Sequence, residues 1–213
     1  MPTKPPPPPA YRLRTPRLDL HAADPSRAIP FLEAANASVP ELLPYMDWAA
    51  AMPDDDGIVQ LMRTWRAMFD RDEDRHYHVV MDGRVLGVVG VHPRVRGNAR
   101  EIGYWVRSDH AGRGLITEAV RGVARAELAL MGLDRLDLYI EPDNVGSLRV
   151  AEKLGFVREA TLRGRITRTD GSRAAVVSSL VPSDPAVAAL EAQPLQAWDV
   201  LDRPLEIPPI GAT

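Results

Sequence analysis

The sequence predicts a mixed α/β domain in which an antiparallel meander leads into a parallel crossover. Three observations carry that class. Strand-like runs at 75–81, 84–92 and 101–106 succeed one another with only short turns between them. The last run leads through a glycine-containing loop into a long helical pattern and then into another strand-like run at 136–140, the order of a βαβ unit. Asp-Gly pairs, Asp82-Gly83 and Asp170-Gly171, stand between alternating segments, where a two-residue hairpin turn needs positive φ.

Each element has its own local reason. Segment 17–22 alternates as R-L-D-L-H-A, the period of a strand. Asp24 followed by Pro25 predicts a helix over 25–37, because a short acceptor side chain satisfies the first free amides and proline fits the first turn. Asp54, Asp55 and Asp56 precede a helix over 57–70, where Ile58, Leu61, Met62, Trp65, Met68 and Phe69 recur at three-to-four spacing and read as core. The meander follows, with a turn at 96–98 before its third strand. The loop at 111–114 opens a helix to about Met131, which Gly132 ends in the left-handed region. A strand at 136–140, a helix at 144–154 ended by Gly155, and a hairpin of 156–168 with 173–181 complete the order.

Composition bounds what this domain does. With 213 residues, 45% of them hydrophobic, the chain is long enough for one well-filled core. It has no cysteine, which excludes a disulfide scaffold, a thiolate zinc site and a cysteine nucleophile. A net charge of −3 argues against broad electrostatic binding to nucleic acid. No apolar run approaches a membrane span and no signal peptide opens the chain, so a soluble cytoplasmic protein is expected. Prolines crowd both ends. Residues 1–10 read as a disordered Pro-rich arm, 11–182 as the domain, and 183–213 as a tail with one short helix over 185–193 that packs on the domain or on a partner chain. Monomer and homodimer are equally compatible with the sequence.

The chemistry is carried by 101–119, EIGYWVRSDHAGRGLITEA. A strand enters a loop with Gly112 and Gly114 and then a helix, whose first amides have no intrahelical acceptor. Glycine lets the main chain approach a ligand, and the helix dipole adds positive potential, an arrangement suited to a pyrophosphate. Between His92 and Arg125 seven arginines face three acids, a local excess of positive charge in an acidic chain. The lysine and hydroxyl of a P-loop are missing, and Thr117 stands where a dinucleotide fingerprint wants its third glycine, although Asp134 or Asp137 lies about where its acid belongs. On these residues alone, a ligand-free strand-to-helix turn and a dinucleotide site both stay open.

Segment 109–114, D-H-A-G-R-G, resembles the acyl-CoA-binding pattern Q/R-x-x-G-x-G/A of the GNAT acetyltransferase superfamily, with Asp109 where Gln or Arg is usual. The flanking E-I-G-Y-W-V and L-I-T-E-A are similar to the RimJ/RimL-type protein N-terminal acetyltransferases. So are N-x-x-S-x-x-x-x-E-K-x-G-F, spelled out from Asn144 to Phe156, and the opening R-T-P-R-L-D-L. The resemblance covers about 13–182. It implies the GNAT fold, a mostly antiparallel twisted sheet of about seven strands with flanking helices and a splayed parallel pair. It also implies acetyl-CoA as co-substrate, without a metal. The pyrophosphate would rest on the amides of Gly112, Arg113, Gly114, Leu115 and Ile116, with Thr117 beside them. The pantetheine would pair with Trp105, Val106 and Arg107, with the thioester carbonyl at an amide near Val106, and Asn144 would bond the pantetheine arm or a water.

The implied reaction is attack of a neutral amine on a thioester. An α-amine with a pKa near ~8 lies about one unit from neutrality at pH 7, whereas a lysine amine near ~10.4 costs roughly 4–5 kcal/mol to deprotonate. The thiolate leaving group, near ~8.5, needs little acid help, so positioning outweighs proton transfer. The resemblance points to Glu101 as base, to Ser147 as the acid in place of the usual tyrosine (Ala151 stands there), and to Glu159 as an alternative acid–base residue. Glu101 also reads as a strand-end ion pair, and Ser147 as an ordinary helix-turn hydroxyl. Outside the motifs, His76 and His78 read as strand surface, His110 as exposed beside the phosphate loop, and His21 and His92 as partnerless. Tyr45, Met46 and Trp48 fall where the family builds its acceptor wall. The lead acceptor is a protein or peptide N-terminal α-amine. A small-molecule amine, or acyl-CoA binding without catalysis, is the alternative.

Overall fold

Ten strands form one twisted sheet in a computed structural model that describes residues 9–211. They are β1 (Arg12–Arg14), β2 (Asp19–Ala22), β3 (Arg75–Met81), β4 (Arg84–His92), β5 (Ala99–Val106), β6 (Arg135–Ile140), β7 (Val157–Arg168), β8 (Gly171–Leu180), β9 (Gln196–Trp198) and β10 (Pro204–Leu205). The spatial order is β10-β9-β1-β2-β3-β4-β5-β6-β8-β7. Helices are α1 (Ala28–Asn36), α2 (Val39–Leu42), α3 (Asp55–Asp70), α4 (Leu115–Leu130), α5 (Val145–Leu154) and α6 (Val187–Glu191). The expected mixed α/β class, meander and crossover are all present, and three short strands bring the sheet to ten where about seven were expected.

Those extra strands come from the ends of the chain. Leu13 of β1 pairs with Leu20 on one side and Ala197 on the other, and both Leu13 and Ala197 are buried. The tail, expected to pack on the domain or on a partner chain, extends the sheet, and Val187 and Leu190 of α6 join the main core. Short strands interrupted by Pro194 and Pro204 offer too little alternation to be read locally. Of the arm expected over 1–10, residues 1–8 lie outside the described residues, and Ala10 is already buried, its carbonyl accepting from Tyr77 Oη at 2.9 Å.

Alternation sorts the sheet into two faces. Leu136, Leu138 and Ile140 of β6 and Ile102 of β5 face the core beneath α4 and α5. Trp105 and Val88 point to the opposite face, where Phe31 of α1 and Ile58 and Met62 of α3 cover them. His76 and His78 lie under this cover and are buried, correcting the expectation of strand surface. Periodicity shows that two side chains share a face but not that helices will roof it. Trp65 stacks on His76 at 3.9 Å between centroids with 4° between the planes.

Two backbone features shape the middle of the sheet. β5 and β6 run parallel but pair only from Ala99 with Arg135 to Glu101 with Asp137. Beyond that point β5 stays bonded to β4 as far as Val106, and β6 stays bonded to β8 as far as Ile140. Each is held by its outer neighbour while a gap opens between them. The second feature is Gly87, with φ of 157°, in the irregular stretch of β4. A Cβ there would stand 2.2 Å from the Trp105 carbonyl oxygen, so the close approach of β4 to β5 requires glycine.

Candidate active site

At one end of the gap, β5 passes through a short turn into α4. Gly112 and Gly114 both adopt left-handed φ, 75° and 74°, which aims the intervening main chain outward. Gly114 caps α4 without a side-chain hydrogen bond, and none of the amides of Gly112, Arg113, Gly114, Leu115, Ile116 and Thr117 meets a protein acceptor among the described residues. Nothing lies within 4 Å of a Cβ built on Gly112. Six unengaged donors over open space at a helix mouth are what a diphosphate needs. Arg17 flanks the cradle, bonding the Arg113 carbonyl at 3.2 Å and Glu118 at 2.6 Å. Arg17 had been legible only as part of the opening motif.

Along the gap, Arg107 donates its amide to Leu86 O at 2.6 Å, toward β4. Strand alternation then turns the amide of Val106 away from β4 and into the gap, as a thioester carbonyl requires. The Arg107 amide is taken up, and its guanidinium bonds Asp109 at 2.9 Å. The same carboxylate meets His110 Nδ1 at 2.7 Å, so His110 is held rather than exposed. Trp105 is buried against Phe31 and Trp48, at 5.6 and 5.9 Å between centroids.

On the far bank of the gap, Asn144 caps α5 by accepting from the Ser147 amide at 3.1 Å. Its side-chain NH2 is left for other partners. Tyr104 Oη donates to the Ser147 carbonyl at 3.1 Å and so bridges from β5 to α5. Burial holds the Tyr104 phenol well above its ordinary range. Tyr104 was legible only as one letter of a motif, with no sign that it spans the gap.

The carboxylates lie elsewhere, in a row on the sheet face away from α4. Glu101 sits at the last paired position, opposite Asp137 on β6 and His92 on β4. Arg94 approaches it at 3.4 Å. Glu159 on β7 is clamped by Arg135 at 2.7 and 2.8 Å and by Ser179 Oγ at 2.5 Å, which pulls its pKa down to about 2. Arg135 begins β6, whereas Ser147 follows its end, so Glu159 and Ser147 stand at opposite ends of that strand. His92, expected to lack a partner, has its Nδ1 3.2 Å from Asp74 Oδ1.

Over this face, the segment between α1 and α3 forms a wall. Trp48 remains 42% exposed beside Trp105. Arg168 pins the wall in place, donating to Leu43 O at 3.0 Å and pairing with Asp47 at 3.0 Å and buried Glu141 at 3.5 Å. The Ser108 amide donates to Ser38 Oγ at 3.1 Å and the Ser108 hydroxyl to Glu41 at 2.7 Å, tying the wall to the phosphate loop.

A parallel pair pried open, a glycine-lined helix mouth at one end and an aromatic wall over the opposite face define the N-acyltransferase class of α/β folds. The chain belongs to the GNAT family: the Acetyltransferase (GNAT) domain model matches residues 17–157. It is 33% identical over 106 residues to Probable N-acetyltransferase YjcK of Bacillus subtilis, a match covering 48% of this chain and 59% of that protein. The chain thus spans a little over half the length of the curated relative. Among solved structures, Mycobacterium smegmatis RimJ in complex with a CoA disulfide superposes with a TM-score of 0.74 at 21% identity, over 86% of this chain and 93% of that one. RimL, a ribosomal L7/L12 alpha-N-protein acetyltransferase in complex with coenzyme A, gives 0.73 at 16% identity, over 78% and 95%. At these identities the superpositions speak for the fold. Among the described residues no helix is long and apolar enough to cross a membrane, and no three acidic or histidine side chains gather as a metal site.

Proposed function

We propose that the protein is a cytoplasmic acetyltransferase that moves the acetyl group of acetyl-CoA to a primary amine, with the N-terminal α-amine of a protein or peptide as acceptor. One observation carries the reading: a strand gap with six unengaged amides at its mouth opens beside Trp105, on which the exposed Trp48 packs from the opposite face. Bound there, acetyl-CoA supplies an activated acyl group. The chain's own residues do the rest. Gly112, Arg113, Gly114, Leu115, Ile116 and Thr117 hold the diphosphate, with Arg17 adding charge at its edge. Trp105 and Val106 align the pantetheine, and the amide of Val106 stabilises developing negative charge on the carbonyl oxygen. The Asn144 amide group holds the far side of the arm. Ser147, at the same end, is the candidate hydroxyl for protonating the departing sulfur. The α-amine is favoured because it sits about one pKa unit from its reactive form, so a site built mainly for positioning suffices. The RimL neighbour, itself an alpha-N-protein acetyltransferase, supports the same acceptor class.

Thiol release from acetyl-CoA, measured across peptides with free α-amines, Nα-blocked lysine peptides and small amines, tests the proposal. Turnover confined to the free α-amine peptides is expected. Turnover on small amines alone would move the acceptor, and coenzyme A binding without turnover on any amine would reduce the protein to a binding module.

A further inference from the structure

We propose that His92, oriented by Asp74, accepts the proton released from the acceptor amine, in the role that family resemblance assigns to Glu101. This rests on the acetyltransferase reading above. His92 is the last residue of β4 and stands on the acceptor side of the sheet, across from Glu101. Asp74 Oδ1 lies 3.2 Å from Nδ1, which places the ring proton on Nδ1 and leaves the lone pair on Nε2. The imidazole lies over two glycines. A Cβ on Gly90 would stand 2.6 Å from Nε2, and one on Gly103 would stand 3.5 Å from it. A side chain at Gly90 would crowd the ring, whereas one at Gly103 would only touch it. Gly103 belongs to the stretch of β5 already released from β6, so Nε2 is set at the inner end of the gap. Gly90 thus leaves out a side chain where this imidazole needs room, and the segment before β3 supplies the carboxylate that orients it.

The groups facing His92 are Asp74 before β3, His76 on β3, Arg94 after β4 and Glu101 on β5; the His76 ring lies 5.2 Å away, edge-on. Burial and Arg94 lower the His92 pKa, while Asp74 and Glu101 oppose them. The imidazole is therefore neutral at physiological pH and able to accept. In the step itself, the neutral amine nitrogen bonds to the carbonyl carbon and the carbon–sulfur bond breaks with its electron pair on sulfur. The proton that the nitrogen sheds passes to Nε2, directly or through one water. The histidinium then yields it to the thiolate or to solvent.

Two measurements test this. In the full chain, 15N NMR of His92 should show a protonated Nδ1 and a pyridine-type Nε2, titrating below the ordinary 6.5. An Nε2–H tautomer would overturn the proposal before any assay. In steady-state kinetics with the best amine, His92→Gln should lower kcat by about 100-fold and abolish the acid limb of the pH profile, with coenzyme A affinity by calorimetry unchanged. Asp74→Asn, at a half-buried site that is easier to fold, should lower kcat about tenfold and move the acid limb to lower pH. Glu101→Gln should keep the limb. If His92→Gln stays within threefold of wild type and Glu101→Gln loses the limb, the base is Glu101. If the wild-type chain acetylates no amine at all, the acetyltransferase reading itself falls, and this inference with it.

Discussion

Arg168 and Glu141 face each other at 3.5 Å, each less than a tenth exposed, joining the last hairpin to the end of β6 under the acceptor wall. The same guanidinium holds Asp47 and the Leu43 carbonyl. Arg168 is therefore the tie between a loop-rich wall and the rigid sheet. Replacing it by alanine frees the wall and strands Glu141, and losing one partner of a buried pair costs about 3–5 kcal/mol. Arg168→Ala should raise KM for the acceptor at least tenfold while leaving coenzyme A affinity within twofold. A KM that stays put would mean that the wall does not touch the acceptor.

Gly114→Glu should abolish coenzyme A binding. The position has φ of 74°, so a side chain there is strained by roughly 1–2 kcal/mol, and a carboxylate would sit at the proposed diphosphate mouth. Isothermal calorimetry reads the loss directly. Affinity within threefold of wild type would remove the phosphate assignment, provided the variant melts cooperatively.

His78 is fully buried beside Phe31, and neither ring nitrogen has a hydrogen-bond partner among the described residues. Burial lowers its pKa to about 3, and His76 falls to about 3 for the same leading reason. The sign follows from linkage. The unfolded chain takes up these protons near 6.5 and the folded one does not, so stability is complete above 6.5 and drains away as pH falls toward 3. At pH 5 this amounts to about 2 kcal/mol per histidine. His78→Phe should flatten the Tm-versus-pH curve below 6.5 and leave it little changed at pH 8. Parallel curves for variant and wild type would place the acid sensitivity elsewhere.

Arg75 and Glu127 are both buried, β3 against α4, with Nε to Oε1 at 3.0 Å. Burial raises the Glu127 pKa, and Arg75 opposes it. Glu127→Ala should destabilise the protein by about 3–5 kcal/mol in urea melts, because it strands a desolvated guanidinium. The double change Arg75→Met with Glu127→Leu should recover most of that loss, and failure to recover would show that the pair is needed for the fold.

Much of this molecule was legible before its coordinates. The meander, the crossover and the helix of 115–130 announce themselves through contiguous patterns of apolar spacing and turn residues. The glycine turn that opens the helix was equally readable, because Gly112 and Gly114 lie within a few residues of one another. What escaped depends on distant partners. His92 looked isolated because Asp74 lies 18 residues earlier and reaches it only across the β3–β4 hairpin. Tyr104 gave no sign of reaching α5, nor Arg168 of reaching Asp47. Glu159 read as an alternative acid–base residue, with no sign of its clamp, because Arg135 and Ser179 come from two other strands.

The pairing of β1 with β9 has a consequence for how the protein is made. Leu13 leaves the ribosome early, and Ala197, its partner in the sheet, is added roughly 180 residues later. At about 5–20 residues per second, the opening strand spends some 10–40 s with one flank unsatisfied. During synthesis that flank is an open adhesive border, and the closing residues act as its sealant.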